Sequence, residues 1–449
     1  MKRHDNTQRR LSRQGLLFLA AGLAALAGSS FGAETEINIP ADPATSSWKK
    51  AQNPNQTEPF WGEHQGGIVT PPQHHLYFAA FDLVTTKRDD VRKLLQAWTA
   101  AAARMSAGET AQPLENGLKL AVMPAATDAP KGDDSYEAPD PSTIAADTGE
   151  TIGVSPSRLS LTFGFGAGLF FKDGKDRFGL ASRRPEALVD LPKFTGDQLV
   201  EGHTGGDLSV QACAEDPQVA FHAVRQLARI AEGVAQLRWV QTGYRPSTGE
   251  RHLLGFSNGK GNPSVDDPEA MAKSVWGGDE GPDWMRGGSY VVVRRIRFAL
   301  EHWDHMSVAY QEKALGQLKH PGVPMSKTNK FDSLEMDAAD DEERPPSHLR
   351  IVVPHSKSIL RRSYSYNDGV NFTAERWPPW RQGLFYDAGM FFICYQRDPR
   401  TGFIQINDKL SKFDFMLNQF WTHVGGGLFA CPRGAEKGGF IGQRLFESP

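Results

Sequence analysis

Between residues 76 and 244 the hydrophobic pattern changes from strand to helix and back in one order, and that order narrows the folds open to this chain. LYFAAFDL (76–83) is an apolar run of strand length. KRDDVRKLLQAWTAAAARM (87–105) has helical spacing, with acidic residues early. RLSLTFGFG (158–166) alternates as a strand does, and DLSVQACA (207–214) reads the same way. A helix is expected from Pro217 to Glu232, then a strand over LRWVQTGY (237–244). Strand, helix, strand, strand, helix, strand is the order of a ferredoxin-like α+β unit. It partly recurs: GSYVVVRRIRFAL (288–300), GLFYDAGMFFICYQ (383–396) and GGGLFACP (425–432) read as strands. WDHMSVAYQEKALG (303–316) and DKLSKFDFMLNQF (408–420) read as helices. The expectation is an α+β fold made of a tandem pair of ferredoxin-like domains with antiparallel sheets. Their expected bounds are 61–250 and 251–449. Residues 106–150, with many small, acidic and Pro residues, read as a long surface insertion. The acidic stretch Asp332–Glu343 reads as a loop.

The N-terminus carries a different signal. Arg9 and Arg10 precede an apolar stretch from Leu16 to Ala27 and then small residues. Twelve residues fall short of the roughly 20 a membrane-spanning helix needs. The pattern is a basic region, an apolar region and a small-residue cleavage zone near Ser29–Ala33. The paired arginines favour the Tat route, so residues 1–33 are expected to be a Tat signal, and the polar residues 34–60 a linker. The alternative is an uncleaved anchor. Tat carries folded proteins, which hints at a cofactor inserted before export. A periplasmic or extracytoplasmic location follows, with no membrane span left after cleavage. Charge excludes one class of partner: 50 basic against 53 acidic residues leave −3, without the basic excess of a nucleic-acid binder. The three cysteines, Cys213, Cys394 and Cys431, form no CxxC pair, and Cys213 and Cys394 sit in core-like strands.

LGFSNGKGNP (254–263) holds Gly255, Gly259 and Gly261, and Asn258-Gly259 is by itself a turn signal. Its spacing fits neither GxGxxG nor GxxxxGK[ST]. The wider context adds meaning. GEHQGGIVTP (62–71), LLGFSNGKGNP (253–263), SHLR (347–350), ILRRSYSY (359–366) and DAGMFFICYQRD (387–398) occur in this order. Together they resemble the dye-decolourising peroxidase family, most closely its Tat-exported, EfeB-like branch of iron-dependent peroxidases and deferrochelatases. GSYVVVRRIRFALEHWD (288–304) fits that branch as well. The resemblance runs from about Phe60 to the C-terminus. It implies one haem b per chain, held in the C-terminal domain, and hydrogen peroxide plus an unknown reducing substrate, or haem itself, as reactants. Family members often self-associate, so a homodimer is expected, and the branch implies iron-uptake partner proteins.

Carried over by residue, His348 of SHLR matches the proximal haem ligand, and so the metal ligand. Asp387 matches the acidic partner of that imidazole, which would strengthen it as a donor. The alternative for Asp387 is a core carboxylate in an ordinary ion pair. Arg361, the first Arg of ILRRSYSY, matches the catalytic distal arginine; Arg362, next to it on a strand, should face the other way. Gly259, Lys260 and Gly261 match a segment lining the haem. Val353, Pro354 and His355 match a second such segment, where the family carries Asn-Pro-Arg. With His355 replacing that Arg, anchoring of a propionate is weaker or falls to Lys260.

Asn258 departs from the family pattern, which has Asp at this position of GxxDG. A carboxylate can accept and return the proton that moves as peroxide breaks; an amide can only hydrogen-bond. Such acid–base help is worth about 10²–10⁴ in rate. Three explanations are open: a slower peroxidase relying on Arg361, a haem-binding or haem-delivery protein without catalysis, or deamidation of Asn258 in its Asn-Gly context. Glu63 and His64 lack metal-ligand spacing and read as structural. Tyr364, Tyr366 and Trp380 are either surface oxidation sites for bulky substrates or core residues.

Overall fold

Nine strands account for the architecture of this computed structural model, which describes residues 53, 55–113, 146–257, 261–320, 322–325, 347–374 and 382–447. In the first half, β1 (His75–Leu83), β2 (Ser160–Phe165), β3 (Leu208–Ala214) and β4 (Ala235–Tyr244) lie in the antiparallel order β4-β1-β3-β2. Helices α1 (Arg88–Ser106) and α2 (Pro217–Ile230) fill the two crossovers. In the second half, β5 (Ser289–Phe298), β7 (Tyr364–Ala374), β8 (Gln382–Gln396) and β9 (Trp421–Cys431) take the equivalent order β9-β5-β8-β7. The expected tandem ferredoxin-like pair is therefore present. The sheets join at both edges, each through a single bridge, Phe165 to Ala430 and Tyr244 to Ser365. Eight strands thus close into a ring whose two junctions are each one residue pair wide. Residues 42–449 accordingly form one compact unit.

Strand alternation sorts the side chains. Phe78, Val291, Val293, Tyr364, Tyr366, Phe391, Ile393 and Tyr395 point into the space between the sheets and form one core. Residues of opposite parity on the first sheet, such as Phe81 and Phe163, pack under α1 and α2 around Trp98. Tyr364 and Tyr366 are thus core residues, not surface oxidation sites; Trp380 lies outside the described residues. All three cysteines are buried and free, as the strand contexts of Cys213 and Cys394 predict for those two. Among the described residues no helix is long and apolar enough to cross a membrane.

Two helix expectations change. The segment expected as one helix over 303–316 is two, α4 (Leu300–Asp304) and α5 (Val308–Leu315), following the short α3 (Pro268–Ser274). The break is at Ser307, whose hydroxyl caps α5 by accepting from Tyr310 N. The segment expected over 408–420 starts earlier, as α7 (Phe403–Phe413), and stops at Asp414. SHLR opens a further short helix, α6 (His348–Val352). The acidic loop 332–343, residues 114–145 of the insertion and the N-terminal segment lie outside the described residues.

Candidate active site

A cavity opens on the outer face of the second sheet, walled by strands on one side and by α6 and α7 on the other. Its strand wall follows from parity. On β8, Met390 and Phe392 face it, opposite in parity to the core residues Phe391 and Ile393. The two-residue strand β6 (Leu360–Arg361) pairs Arg361 with Cys394, on the parity of Met390 and Phe392, so Arg361 also faces the cavity. Arg362 points the opposite way, to the carbonyl of Thr70 and to Gln73 Oε1 (2.5 Å). On β9, the register against β5 skips Val424, pairing Arg295 with Gly425 and Ile296 with His423. This bulge reverses the parity of the residues before it and turns Trp421 and His423 into the cavity.

The helical wall carries the acid–base pair. The face of α7 that lines the cavity is Phe403, Ile406, Asn407 and Leu410, and the same stripe continues to Asp414. Asp414 is buried, while its neighbours Phe413 and Phe415 are exposed. Its Oδ2 accepts a hydrogen bond from His348 Nδ1 at 2.7 Å, and its Oδ1 accepts from Leu417 N at 3.2 Å. The imidazole is further held edge-on against Trp421, centroids 5.0 Å apart. With Nδ1 engaged as a donor, Nε2 of His348 keeps its lone pair.

Across the cavity, Asn262 clamps Arg361. Asn262 Oδ1 accepts from Arg361 N (3.0 Å) and Nε (3.2 Å), and its Nδ2 donates to Arg361 O (2.9 Å). Burial pushes the guanidinium down to about 10, so it remains a cation at neutral pH. Burial and the Arg294 charge hold His423 neutral, with its pKa pushed down to about 3, and among the described residues its Nδ1 has no hydrogen-bond partner.

Models of the N-terminal and C-terminal parts of Dyp-type peroxidases match residues 65–245 and 249–436. The chain belongs to the Dyp-type peroxidase family. It is 31% identical, over the full length of both chains, to a dye-decolorizing peroxidase of Thermobifida fusca. It is 30% identical to an Escherichia coli deferrochelatase, with 87% of this chain and 88% of the relative covered. A crystal structure of a DyP-type peroxidase from Streptomyces coelicolor aligns with TM-score 0.71 at 34% identity, covering 88% of this chain and 98% of that one. Ferric DtpA from Streptomyces lividans aligns with the same score, identity and coverage.

Against these family expectations, the structure brings His348, Arg361 and Gly261 to one cavity. It does not bring Asp387 there. Asp387 Oδ1 accepts from Arg295 Nη2 at 2.9 Å, and its Oδ2 lies 3.4 Å from Asn371 Nδ2. Arg295 is a nearly buried cation on the parity of the inner core, and Asp387 with Asp368 neutralises it. The ion-pair alternative is therefore the observed one, and Asp414 is the carboxylate on the imidazole. Val353, Pro354 and His355 also lie off the cavity. They start a 3-10 turn (Val353–Ser358), and only the flanking Val352 and Ile359 line the wall. His355 Nε2 accepts from Lys409 Nζ at 2.7 Å instead. Asn258, Gly259 and Lys260 lie outside the described residues. His64 is structural: its Nδ1 donates to Gly287 O (2.8 Å) and its ring stacks on Trp276.

The sequence reading missed Asp414, Asn262 and His423. One signal was available for Asp414: it falls on the apolar stripe of its helix. Asn262 and His423 had none, because their roles come from a clamp across 99 residues and from a strand bulge.

Proposed function

We propose that this chain is a Tat-exported haem b peroxidase that uses hydrogen peroxide for one-electron oxidations outside the cytoplasm. The observation that carries it is the placement of the Asp414–His348 pair and of Arg361 on one cavity. The lining suits a haem. Ile296, Leu315, Val352, Met390 and Phe392 provide apolar walls, and the His348 imidazole, the Arg361 guanidinium and His423 Nδ1, which has no hydrogen-bond partner among the described residues, offer polar contacts. The ferric and oxyferrous states described for the Streptomyces lividans relative are those of an iron protein. One haem b per chain would be held by His348 Nε2. When bound, it would supply a redox-active iron that reacts with peroxide.

The chain's own residues do the rest. Asp414 keeps the proton on Nδ1, aims Nε2 and makes the imidazole a stronger electron donor to the metal. Arg361 stabilises the negative oxygen that develops as the O–O bond of peroxide breaks. Asn262 holds Arg361 in place before the reaction. Asn258 can hold peroxide or water by hydrogen bonds but cannot take up a proton, so turnover is lower than with a carboxylate there. That amide also supports a second reading, in which the protein binds or delivers haem without turning over peroxide. Removal of iron from haem, the activity named for the deferrochelatase relatives, would use the same cavity.

The test is His348→Ala. Haem-reconstituted variant should lose the axial-imidazole spectrum and the parent's Soret band. A Soret and ligand-field spectrum identical to the parent's would remove the basis of the proposal. For export, replacing Arg9 and Arg10 by Lys should leave the haem protein in the cytoplasm.

A further inference from the structure

The geometry points to a second metal site, for a divalent cation, with His222, Asp147 and Glu150 as its protein ligands. The three residues come from two places. His222 lies on the buried face of α2, whereas Asp147 and Glu150 lie at the C-terminal end of the long insertion. One ligand atom from each lies within 4.8 Å of the others. His222 and Asp147 are both buried, and Glu150 is mostly so.

The imidazole is what makes this a site and not only a pair of acids. Its Nε2 lies 3.4 Å from Asp147 Oδ2 and its Nδ1 3.2 Å from Glu150 Oε1. A neutral imidazole carries one N–H. With it on Nε2, Nδ1 can accept from Gln226 Nε2 at 3.5 Å; with it on Nδ1, Nε2 directs a lone pair at Asp147 Oδ2, and a cation between them relieves that. Among the described residues Nε2 has no hydrogen-bond partner, although it is buried. A proton is one such cation, but charge-assisted N–H···O bonds contract to about 2.7–2.9 Å. The His348–Asp414 pair has done so at 2.7 Å; His222 and Asp147 have not. Two ligands at about 2.1 Å from one tetrahedral metal are roughly 3.4 Å apart, the separation seen here.

Charge agrees. With His222 neutral, two carboxylates and Arg225, whose Nη1 is 3.1 Å from Glu150 Oε1, leave one negative charge for the metal to offset. One nitrogen and two oxygens suit zinc or manganese better than magnesium, which prefers all-oxygen sites. Asp147 Oδ2 also accepts from Ala111 N at 2.9 Å, so the metal would tie both ends of the insertion to α2.

The full haem-loaded protein is dialysed against zinc chloride, and zinc and iron are counted in the same sample by mass spectrometry. Wild type should retain one zinc per chain more than His222→Gln or Asp147→Asn, each of which should bind at least tenfold more weakly. Zinc should also raise the melting temperature of the wild type. Because either variant could misfold, zinc-soaked wild-type crystals provide an independent readout. Anomalous density at the zinc edge among His222, Asp147 and Glu150 supports the site. Its absence, or zinc content equal to that of the folded variants, overturns it.

Discussion

Replacing Asp414 by Asn tests which carboxylate governs the His348 imidazole, the proposed haem ligand. The substitution keeps the size of a side chain that is 2% exposed; its one carbonyl oxygen can accept from His348 Nδ1, and the amide nitrogen then faces Leu417 N, so the longer 3.2 Å bond is given up. At the imidazole it turns the 2.7 Å bond to His348 Nδ1 from charged to neutral. Hydrogen bonds to charged groups are worth about 1.5–3 kcal/mol and neutral ones about 0.5–1.5 kcal/mol. The difference, about 1.4 kcal/mol, corresponds to ~59 mV for a one-electron couple. The carboxylate favours the more positive iron, so Asp414→Asn should raise the ferric/ferrous midpoint by about 60 mV in spectroelectrochemical titration. Turnover with peroxide should fall by about 10–100-fold, as for other partners of metal-bound histidines. Asp387→Asn is the control. It should leave the midpoint in place and lower stability by about 1–2 kcal/mol, since Arg295 loses one carboxylate and keeps Asp368. A midpoint that moves in Asp387→Asn and stays still in Asp414→Asn would refute the assignment.

Other outcomes are equally specific. Asn258→Asp should raise the peroxide reaction rate by about 10²–10⁴, read by stopped-flow; an unchanged rate would show that the amide is not limiting. Arg361→Leu should slow the same reaction by about 10²–10³ while the haem spectrum stays intact; a full-speed variant would remove Arg361 from the chemistry. His423 should make stability pH-dependent. Its folded pKa, about 3, lies below the ordinary 6.5, so the unfolded chain binds more protons in between. Its contribution is complete above pH 6.5 and declines as pH falls toward 3. At pH 5 the loss is about 1–2 kcal/mol, allowing for water reaching the ring through the cavity. Urea midpoints at pH 7 and pH 5 should differ less in His423→Asn than in wild type; equal slopes would contradict this.

The amino-acid sequence by itself determined the strands, the helices around them and the tandem ferredoxin-like order, because each rests on local periodicity. It also marked His348 and Arg361, through short motifs in a family-specific order, and predicted from strand alternation that Arg362 would turn away from Arg361. Tertiary structure alone decided which carboxylate meets His348. Asp387 lies in a family-like block and yet belongs to Arg295, because β5 and β8 are paired and Arg295 is buried beside it. Asp414 reaches the imidazole only because α7 packs its cavity-lining stripe against α6. A single skipped residue at Val424 likewise sets which way Trp421 and His423 face. Periodicity reports which side of an element is buried; what that side touches depends on register and packing between segments far apart in the chain.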